Sequence, residues 1–127
     1  MTIAYWCVLA AAVMPLIAIG IAKAGGERYN NRNPRVWLEK QQGYRARAAA
    51  AESNSFEAFP FFAAAVIVAH LTQAPQGMVD LLASVFVLAR IAYLACYLGD
   101  WHWARSAVWF VGYGACIAIF LSGVTLG

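Results

Sequence analysis

Four long apolar stretches, separated by short polar segments, run along the chain. They cover residues 3–24, about 47–71, about 78–98 and about 105–126. A helix needs roughly 20 predominantly apolar residues to cross the hydrocarbon core of a bilayer. The pattern therefore predicts four membrane-spanning helices, the second of which begins near Arg45 or Arg47.

The segments between these stretches leave little room for anything outside the membrane. Residues 25–44 are predicted as a polar loop, because Asn-Asn-Arg-Asn-Pro-Arg at 30–35 is a strong turn signal. The other two connections, 72–77 and 99–103, are shorter still. We therefore predict one all-α domain over residues 1–127, an integral membrane four-helix bundle.

Composition supports this prediction and excludes other classes of protein. Of the 127 residues, 63% are apolar and only 12% are charged, whereas soluble domains carry about 25% charged residues. A soluble globular enzyme, a disordered tail and a disulfide scaffold are therefore excluded. The three cysteines, Cys7, Cys96 and Cys116, lie in apolar runs without metal-ligand spacing, so no metal site is predicted.

The basic residues are placed unevenly and predict an orientation. All except Arg90 belong to the connections between the first and second spans and between the third and fourth, or to the ends of those spans. Cytoplasmic loops carry an excess of Lys and Arg, so we expect both termini to face away from the cytoplasm. No fold that reads nucleic acid accompanies this cluster, and no nucleic-acid partner is predicted.

Three of the polar residues inside the predicted spans are candidates for a site within the membrane. Asn54 and Glu57 are three residues apart and share one face of the second helix, and Arg90 lies in the third. Glu57, counted from the start of the second span, and Arg90, counted from the end of the third, each lie about 14 Å from the same side of the membrane. We expect them to pair directly or through one water or ligand, either to fix helix register or as part of a functional site.

Further polar and aromatic residues are spaced to meet this region. Arg90, Tyr93 and Tyr97 have the i, i+3, i+7 spacing of one helix stripe, and Arg105 and Trp109 begin the fourth span. Together these residues indicate a polar pocket that opens toward the cytoplasm. The tyrosines are equally compatible with ordinary packing or with an interfacial position.

Three segments resemble the signatures of the MAPEG family, the membrane-associated proteins of eicosanoid and glutathione metabolism. The chain resembles a bacterial member of this family. They are the stretch 45–62 with Asn54-Ser55-Phe56-Glu57, the stretch 89–99 with Arg90 and Tyr97, and the stretch 105–114. Their order and spacing agree over nearly the whole chain. The resemblance implies a homotrimer in the bacterial inner membrane, with glutathione as co-substrate between neighbouring subunits and a small lipophilic substrate.

The resemblance also implies roles for individual residues. Arg105 matches the position that activates the glutathione thiol, so it is the expected catalytic residue. Residues expected to bind glutathione are Asn54, Glu57, Arg90, Tyr93, Tyr97 and, seven residues before Asn54, Arg47. Two arginines common in glutathione-using members are replaced here by Ala50 and Ser53, a histidine by Tyr93 and a tyrosine by Trp109.

Three functions therefore stay open at the level of sequence. The first is a glutathione transferase or peroxidase that acts on lipophilic electrophiles within the bilayer. The second is a non-catalytic member that binds lipid or serves as a scaffold. The third is a small multidrug transporter, which the motifs favour least because its coupling carboxylate would be paired with Arg90.

Overall fold

The computed structural model describes residues 1–24 and 28–124, and in these ranges the regular structure is entirely helical. Five helices follow in chain order: α1 (Ile3–Lys23), α2 (Pro34–Glu39), α3 (Tyr44–Leu71), α4 (Gln76–Leu98) and α5 (His102–Leu121). All but α2 are long and apolar enough to cross a membrane. The prediction of an all-α bundle with four spans is confirmed.

The four long helices pack side by side in alternating directions. The most extensive contacts join α4 to α5 and α1 to α3, and α4 also contacts α1 and α3. Short connections make successive long helices antiparallel neighbours. The end of the bundle where α1 and α4 end and α3 and α5 begin carries most of the basic residues, and we call it the basic end.

The structure differs from the sequence prediction in the connection near the basic end. The segment predicted as a loop over 25–44 contains α2, which begins at Pro34, where the missing N–H costs nothing in a first helical turn. Trp37 of α2 is only 3% exposed, and its indole Nε1 donates to the carbonyl of Arg28 at 2.8 Å. Burial of this tryptophan stabilises a helix that is too short to show apolar periodicity.

The bounds of the spans differ because helices continue through polar residues at the membrane surface. Helix α3 begins at Tyr44, α4 at Gln76 and α5 at His102, each earlier than the apolar stretch from which it was predicted. Backbone groups are satisfied inside a helix whether or not its side chains are apolar. Helix α5 ends at Leu121, and the predicted end at 126 lies outside the described residues.

Small residues allow the helices to approach closely in the core. Buried alanines come from all four long helices, and the rings of Phe62 and Phe86 stack between α3 and α4 with centroids 4.0 Å apart. Without a hydrophobic driving force between helices in lipid, close packing of this kind supplies much of the association energy. The stack fixes the register of α3 against α4.

Two arginines near the start of α3 bind the ends of neighbouring helices. Arg45 is 8% exposed, and its Nε donates to the carbonyl of Ala22 at 2.9 Å, at the end of α1. Arg47 donates from Nη2 to the carbonyl of Leu98 at 3.0 Å, at the end of α4. The last carbonyls of a helix lack partners within the helix and carry partial negative charge, so a cation there is favourable.

We expect Arg45→Ala to lower the free energy of unfolding by about 2–3 kcal/mol, because hydrogen bonds from a charged group are lost and buried carbonyls are left without a donor. Thermal unfolding in mild detergent measures this loss. Arg35→Ala is the matched control, since Arg35 is exposed on α2, and its effect should stay within about 0.5 kcal/mol. Equal effects of the two substitutions would contradict the role assigned to Arg45.

The opposite end of the bundle is tied by a carboxylate that the sequence analysis did not single out. Oδ1 of Asp80, in α4, accepts from the backbone N–H of Ala4 at 2.9 Å and from Nε2 of Gln76 at 2.7 Å. The first N–H groups of a helix need acceptors. Asp80 therefore joins the beginning of α1 to α4.

Candidate functional site

Arg90 lies between α3 and α4 and is the most deeply buried charge in the predicted site. It is 5% exposed, its Nη2 donates to Oγ of Ser55 at 3.3 Å, and its guanidinium lies 4.3 Å from the centre of the Tyr93 ring. In the described part of the chain, no carboxylate oxygen lies within ion-pair distance of this guanidinium. A buried cation without a carboxylate partner is costly, and ionisable residues within membrane-spanning helices are typical of functional sites.

A continuous series of ring contacts leads from Arg90 toward the basic end. The rings of Tyr93 and Tyr97 meet edge to face with centroids 5.6 Å apart, and the guanidinium of Arg105 lies 4.3 Å from the centre of the Tyr97 ring. The stripe predicted from the spacing of Arg90, Tyr93 and Tyr97 is therefore present. We call these four residues the Arg-Tyr stack; it places a cation at each end of a pair of phenols.

The direct pairing expected between Glu57 and Arg90 is not present. Glu57 is exposed on α3, whereas Arg90 is buried and hydrogen-bonds Ser55 instead. Both residues nevertheless line the same cavity. Their equal depth thus brings the two charges to one cavity but not into contact. Contact also depends on the rotation of each helix about its axis, which decides the direction of its side chains.

We expect the two charges to be nearly independent in the ligand-free protein. In a double-mutant cycle of Glu57→Gln and Arg90→Met, the coupling in the free energy of unfolding should be below about 0.5 kcal/mol. Addition of a zwitterionic ligand that bridges Glu57 and Arg90 should raise this coupling free energy. A coupling above about 2 kcal/mol without ligand would show that the side chains pair after all.

The cavity that Glu57 and Arg90 share is lined by polar side chains and aromatic rings, and we call it the aromatic cavity. Its volume is about 130 Å³. Asn54 lines the cavity, and its buried Oδ1 has no hydrogen-bond partner among the described residues. The cavity is lined by Asn54, Glu57, Ala58, Phe61, Phe86, Arg90, Trp109, Gly112, Tyr113 and Cys116.

A second, more open cavity adjoins it, and we call it the polar cleft. It has a volume of about 210 Å³ and is lined by Asn54, Tyr93, Arg105, Ser106, Trp109 and Phe110. Asn54 and Trp109 line both cavities. The two cavities are therefore adjacent, with one end of the Arg-Tyr stack at the aromatic cavity and the other at the polar cleft.

The structure places the other predicted site residues less centrally. Arg47 uses its guanidinium to bind the carbonyl of Leu98 and is not among the residues that line the aromatic cavity or the polar cleft. Tyr97 also lines neither, but it supports Arg105 through their ring contact.

Sequence reasoning missed the aromatic walls. Phe61, Phe86, Tyr113 and Cys116 come from three different helices, and their apolar character is the same as that of core residues. The only local sequence pattern that points to these walls is the i, i+4 spacing of Trp109 and Tyr113. Their rings stack almost in parallel with centroids 5.1 Å apart.

Comparison with known proteins identifies the chain at the level of family. A family model described as the MAPEG family matches residues 3–125, which is nearly the whole chain. Comparison with curated proteins and with solved structures found no significant match. A match of this extent, on a chain with four membrane-spanning helices, shows that the protein belongs to the MAPEG family, whose members are membrane proteins of glutathione-related or eicosanoid metabolism.

Proposed function

We propose that this protein is a glutathione-dependent transferase or peroxidase that acts on lipophilic electrophiles dissolved in the bilayer. The observation that carries the proposal is Arg90, a cation 5% exposed that has no carboxylate partner in the described structure. The unpartnered Oδ1 of Asn54 at the same cavity adds a vacant acceptor. A buried cation beside a vacant acceptor fits a ligand that brings both an anion and a hydrogen-bond donor.

Glutathione carries the groups that such a site needs. It has two carboxylates, an ammonium group and a thiol, and the site offers cations in Arg90 and Arg105, an anion in Glu57 and an amide in Asn54. Arginine binds carboxylates through two parallel hydrogen bonds, and Glu57 suits the ammonium group. Arg105 lines the polar cleft, and its proposed role is to stabilise the thiolate, which is the reactive form of a thiol.

The exposed face of α3 supports assembly as a homotrimer with the site between subunits. Glu57 is exposed in a membrane-spanning helix, and a carboxylate that faces lipid is unfavourable. A neighbouring subunit that covers this face would remove the carboxylate from lipid and enclose the ligand. The exposed stripe comprises Ser53, Phe56, Glu57, Pro60, Ala64, Ile67 and Leu71.

We also propose a bacterial inner membrane as the location, with both termini outside the cytoplasm, and the distribution of basic residues supports this orientation. Arg28, Arg32, Arg35 and Lys40 are exposed at the basic end, and such residues are enriched on the cytoplasmic side. The polar cleft, near that end, would then open toward the cytoplasm, where glutathione is dissolved.

The replacements at Ala50 and Ser53 predict weak binding of glutathione. Arg47 does not take the place of either missing arginine, because its guanidinium binds the end of α4. We expect a dissociation constant near 1 mM, which corresponds to about 4 kcal/mol of binding free energy.

Binding of glutathione to the purified protein in nanodiscs tests this proposal. Ligand-observed NMR should show saturable binding, and glutathione ethylated on both carboxylates should bind at least about tenfold more weakly, because Arg90 then loses its anion. A protein that binds neither form, while remaining folded and trimeric, would contradict the proposal.

In that case the second candidate function, a non-catalytic lipid-binding or scaffolding protein, takes its place. Ala50 and Ser53 are the observations that favour it, since they remove two cations used by glutathione-dependent members. An anionic lipid headgroup would then be the expected partner of Arg90.

A further inference from the structure

Every exposed lysine and arginine of the described residues lies in the connection between α1 and α3, whereas the other basic residues are buried or half-buried. The side chains of these exposed residues form no hydrogen bond or ion pair with another described residue. They therefore play no part in holding the helices together. We call them the basic surface: Arg28, Arg32, Arg35 and Lys40.

The basic surface is carried by a folded element. The buried ring of Trp37 meets the ring of Tyr29 edge to face with centroids 5.1 Å apart, and the guanidinium of Arg45 lies 5.1 Å from the centre of a Trp37 ring. Nε2 of Gln41 donates to the carbonyl of Trp37 at 2.9 Å. Arg35 lies on the other side of α2 from Trp37, because residues two apart in a helix point in roughly opposite directions. Helix α2 thus turns an aromatic ring inward and a cation outward.

The same contacts fix the height of the basic surface relative to the membrane. Helix α1 has 21 residues, which at about 1.5 Å each cover a hydrocarbon core of about 30 Å. Nζ of Lys23, the last residue of α1, lies 4.1 Å from the centre of the Tyr29 ring. Arg45, which contacts Trp37, binds the carbonyl of Ala22. The segment 28–40 therefore lies beside the last turn of α1, at the level of the lipid headgroups.

The side chains of this segment fit a lipid surface better than a soluble partner. Val36 of α2 is 49% exposed, and an apolar side chain beside cations is typical of helices that lie in the membrane interface. Glu39 is the only exposed acidic residue described in the segment, so the four cations outweigh its charge. Phospholipid headgroups already surround this level of the protein, whereas a soluble acidic protein would have to displace them.

We propose that the basic surface is a binding site for anionic phospholipid headgroups in the leaflet at the basic end. Cations held at headgroup level attract anionic lipids, and each exposed lysine or arginine adds to the attraction. The site is separate from the aromatic cavity and the polar cleft, since no residue of the segment 28–40 lines either of them. It does not depend on the proposed use of glutathione.

The test compares spin-labelled phosphatidylglycerol with spin-labelled phosphatidylcholine, in phosphatidylcholine bilayers that contain the full chain. The two probes share their acyl chains and differ in headgroup charge, and electron paramagnetic resonance measures the fraction of each that the protein immobilises. We expect the wild-type protein to prefer phosphatidylglycerol by at least about threefold at low salt. The preference should nearly vanish in about 1 M salt, where the Debye length is about 3 Å.

Substitutions on the basic surface test whether its charge causes the preference. Arg32→Gln combined with Arg35→Gln should lower the preference by about half or more. Arg32→Lys combined with Arg35→Lys is the matched control and should keep it, because the charge is unchanged. Glu39→Gln removes the opposing charge and should raise the preference. Arg90→Met should leave it unchanged, because Arg90 is buried between α3 and α4.

Three results would overturn the site. Equal association of the two lipids with folded wild-type protein would leave an acidic protein as the occupant of the basic surface. A preference that the two glutamine substitutions do not lower would show that these cations do not cause it. A preference that is lost in Arg90→Met would place the anionic lipid at Arg90.

Glutathione binding, measured in the same samples, separates this site from the proposed function. A preference for phosphatidylglycerol without glutathione binding supports the lipid site and contradicts the proposed function. Glutathione binding without a lipid preference contradicts the lipid site alone.

Discussion

Replacement of Arg105 by alanine is expected to lower the rate of glutathione conjugation by about 10²–10³-fold, the usual effect of removing one group that stabilises developing or fixed negative charge. Arg105 is half-buried at the polar cleft, and its guanidinium rests on the ring of Tyr97. Its loss removes the cation that favours the thiolate but leaves Arg90, Glu57 and Asn54 to bind the rest of glutathione. The rate should therefore fall much more than the affinity.

Two further variants show whether the charge or the planar shape of the Arg105 guanidinium is responsible for the effect on the conjugation rate. Arg105→Lys keeps the charge but loses the planar group that stacks on Tyr97, so it should recover part of the rate. Arg35→Ala removes an exposed arginine that lines neither cavity and should leave the rate unchanged. Initial rates at saturating glutathione, together with the dissociation constant, measure these effects. If Arg105→Ala weakens binding as much as it lowers the rate, Arg105 is a binding residue and not the thiolate stabiliser.

Replacement of Arg90 by methionine is expected to change binding and stability in opposite directions. Glutathione binding should weaken by about 10–100-fold, since a charge-assisted pair of hydrogen bonds to a carboxylate is lost. The free energy of unfolding of the ligand-free protein should rise by about 1–3 kcal/mol, because a buried cation that has no carboxylate partner among the described residues is replaced by an apolar side chain of similar length. The lost hydrogen bond to Ser55, at 3.3 Å, is long and offsets little of this gain.

Thermal unfolding in detergent and glutathione titration of the same preparation measure both effects. Leu88→Met is a suitable control, since Leu88 lies on the exposed face of α4, and it should change neither quantity by much. A loss of stability of several kcal/mol in Arg90→Met would show that Arg90 is a structural residue whose partners stabilise the fold.

The spans were predictable because they depend on an average property of the sequence. About 20 apolar residues in a row leave the backbone few alternatives in a bilayer. The stripe of Arg90, Tyr93 and Tyr97 was predictable for a similar reason, since spacing within one helix fixes which residues share a face. Both predictions use only local regularities of the α-helix.

What could not be predicted depends on how the helices face one another. Glu57 and Arg90 lie at matching depth, but Glu57 is on the exposed face of α3. The spacing of residues within α3 does not show which face of the helix is exposed. The basic residues Arg45 and Arg47 predict orientation, yet the structure shows that they also bind the ends of α1 and α4. Arg45 is 23 residues from its partner Ala22, and Arg47 is 51 residues from Leu98. No local sequence pattern predicts contacts over such separations.

Helix α2 and the aromatic cavity show two other limits of the sequence. The six residues of α2 are too few for a periodic signal, and the turn signal at Asn33-Pro34 is equally compatible with a proline at the first helical position. The rings of the aromatic cavity are apolar residues on three helices, and a wall of a cavity has the same composition as a packed core. Only the packing of the helices distinguishes the two.

The most direct test of the central claim is the ultraviolet absorbance of the glutathione thiolate during titration of the purified protein. A free thiol with a pKa of about 8.5 is mostly protonated at neutral pH, whereas one held beside arginine ionises more readily. We predict a saturable increase in thiolate absorbance, of one thiolate for each occupied site, that is absent in Arg105→Ala. Saturating glutathione that produces no thiolate signal in the folded wild-type protein would contradict the claim that this chain activates glutathione.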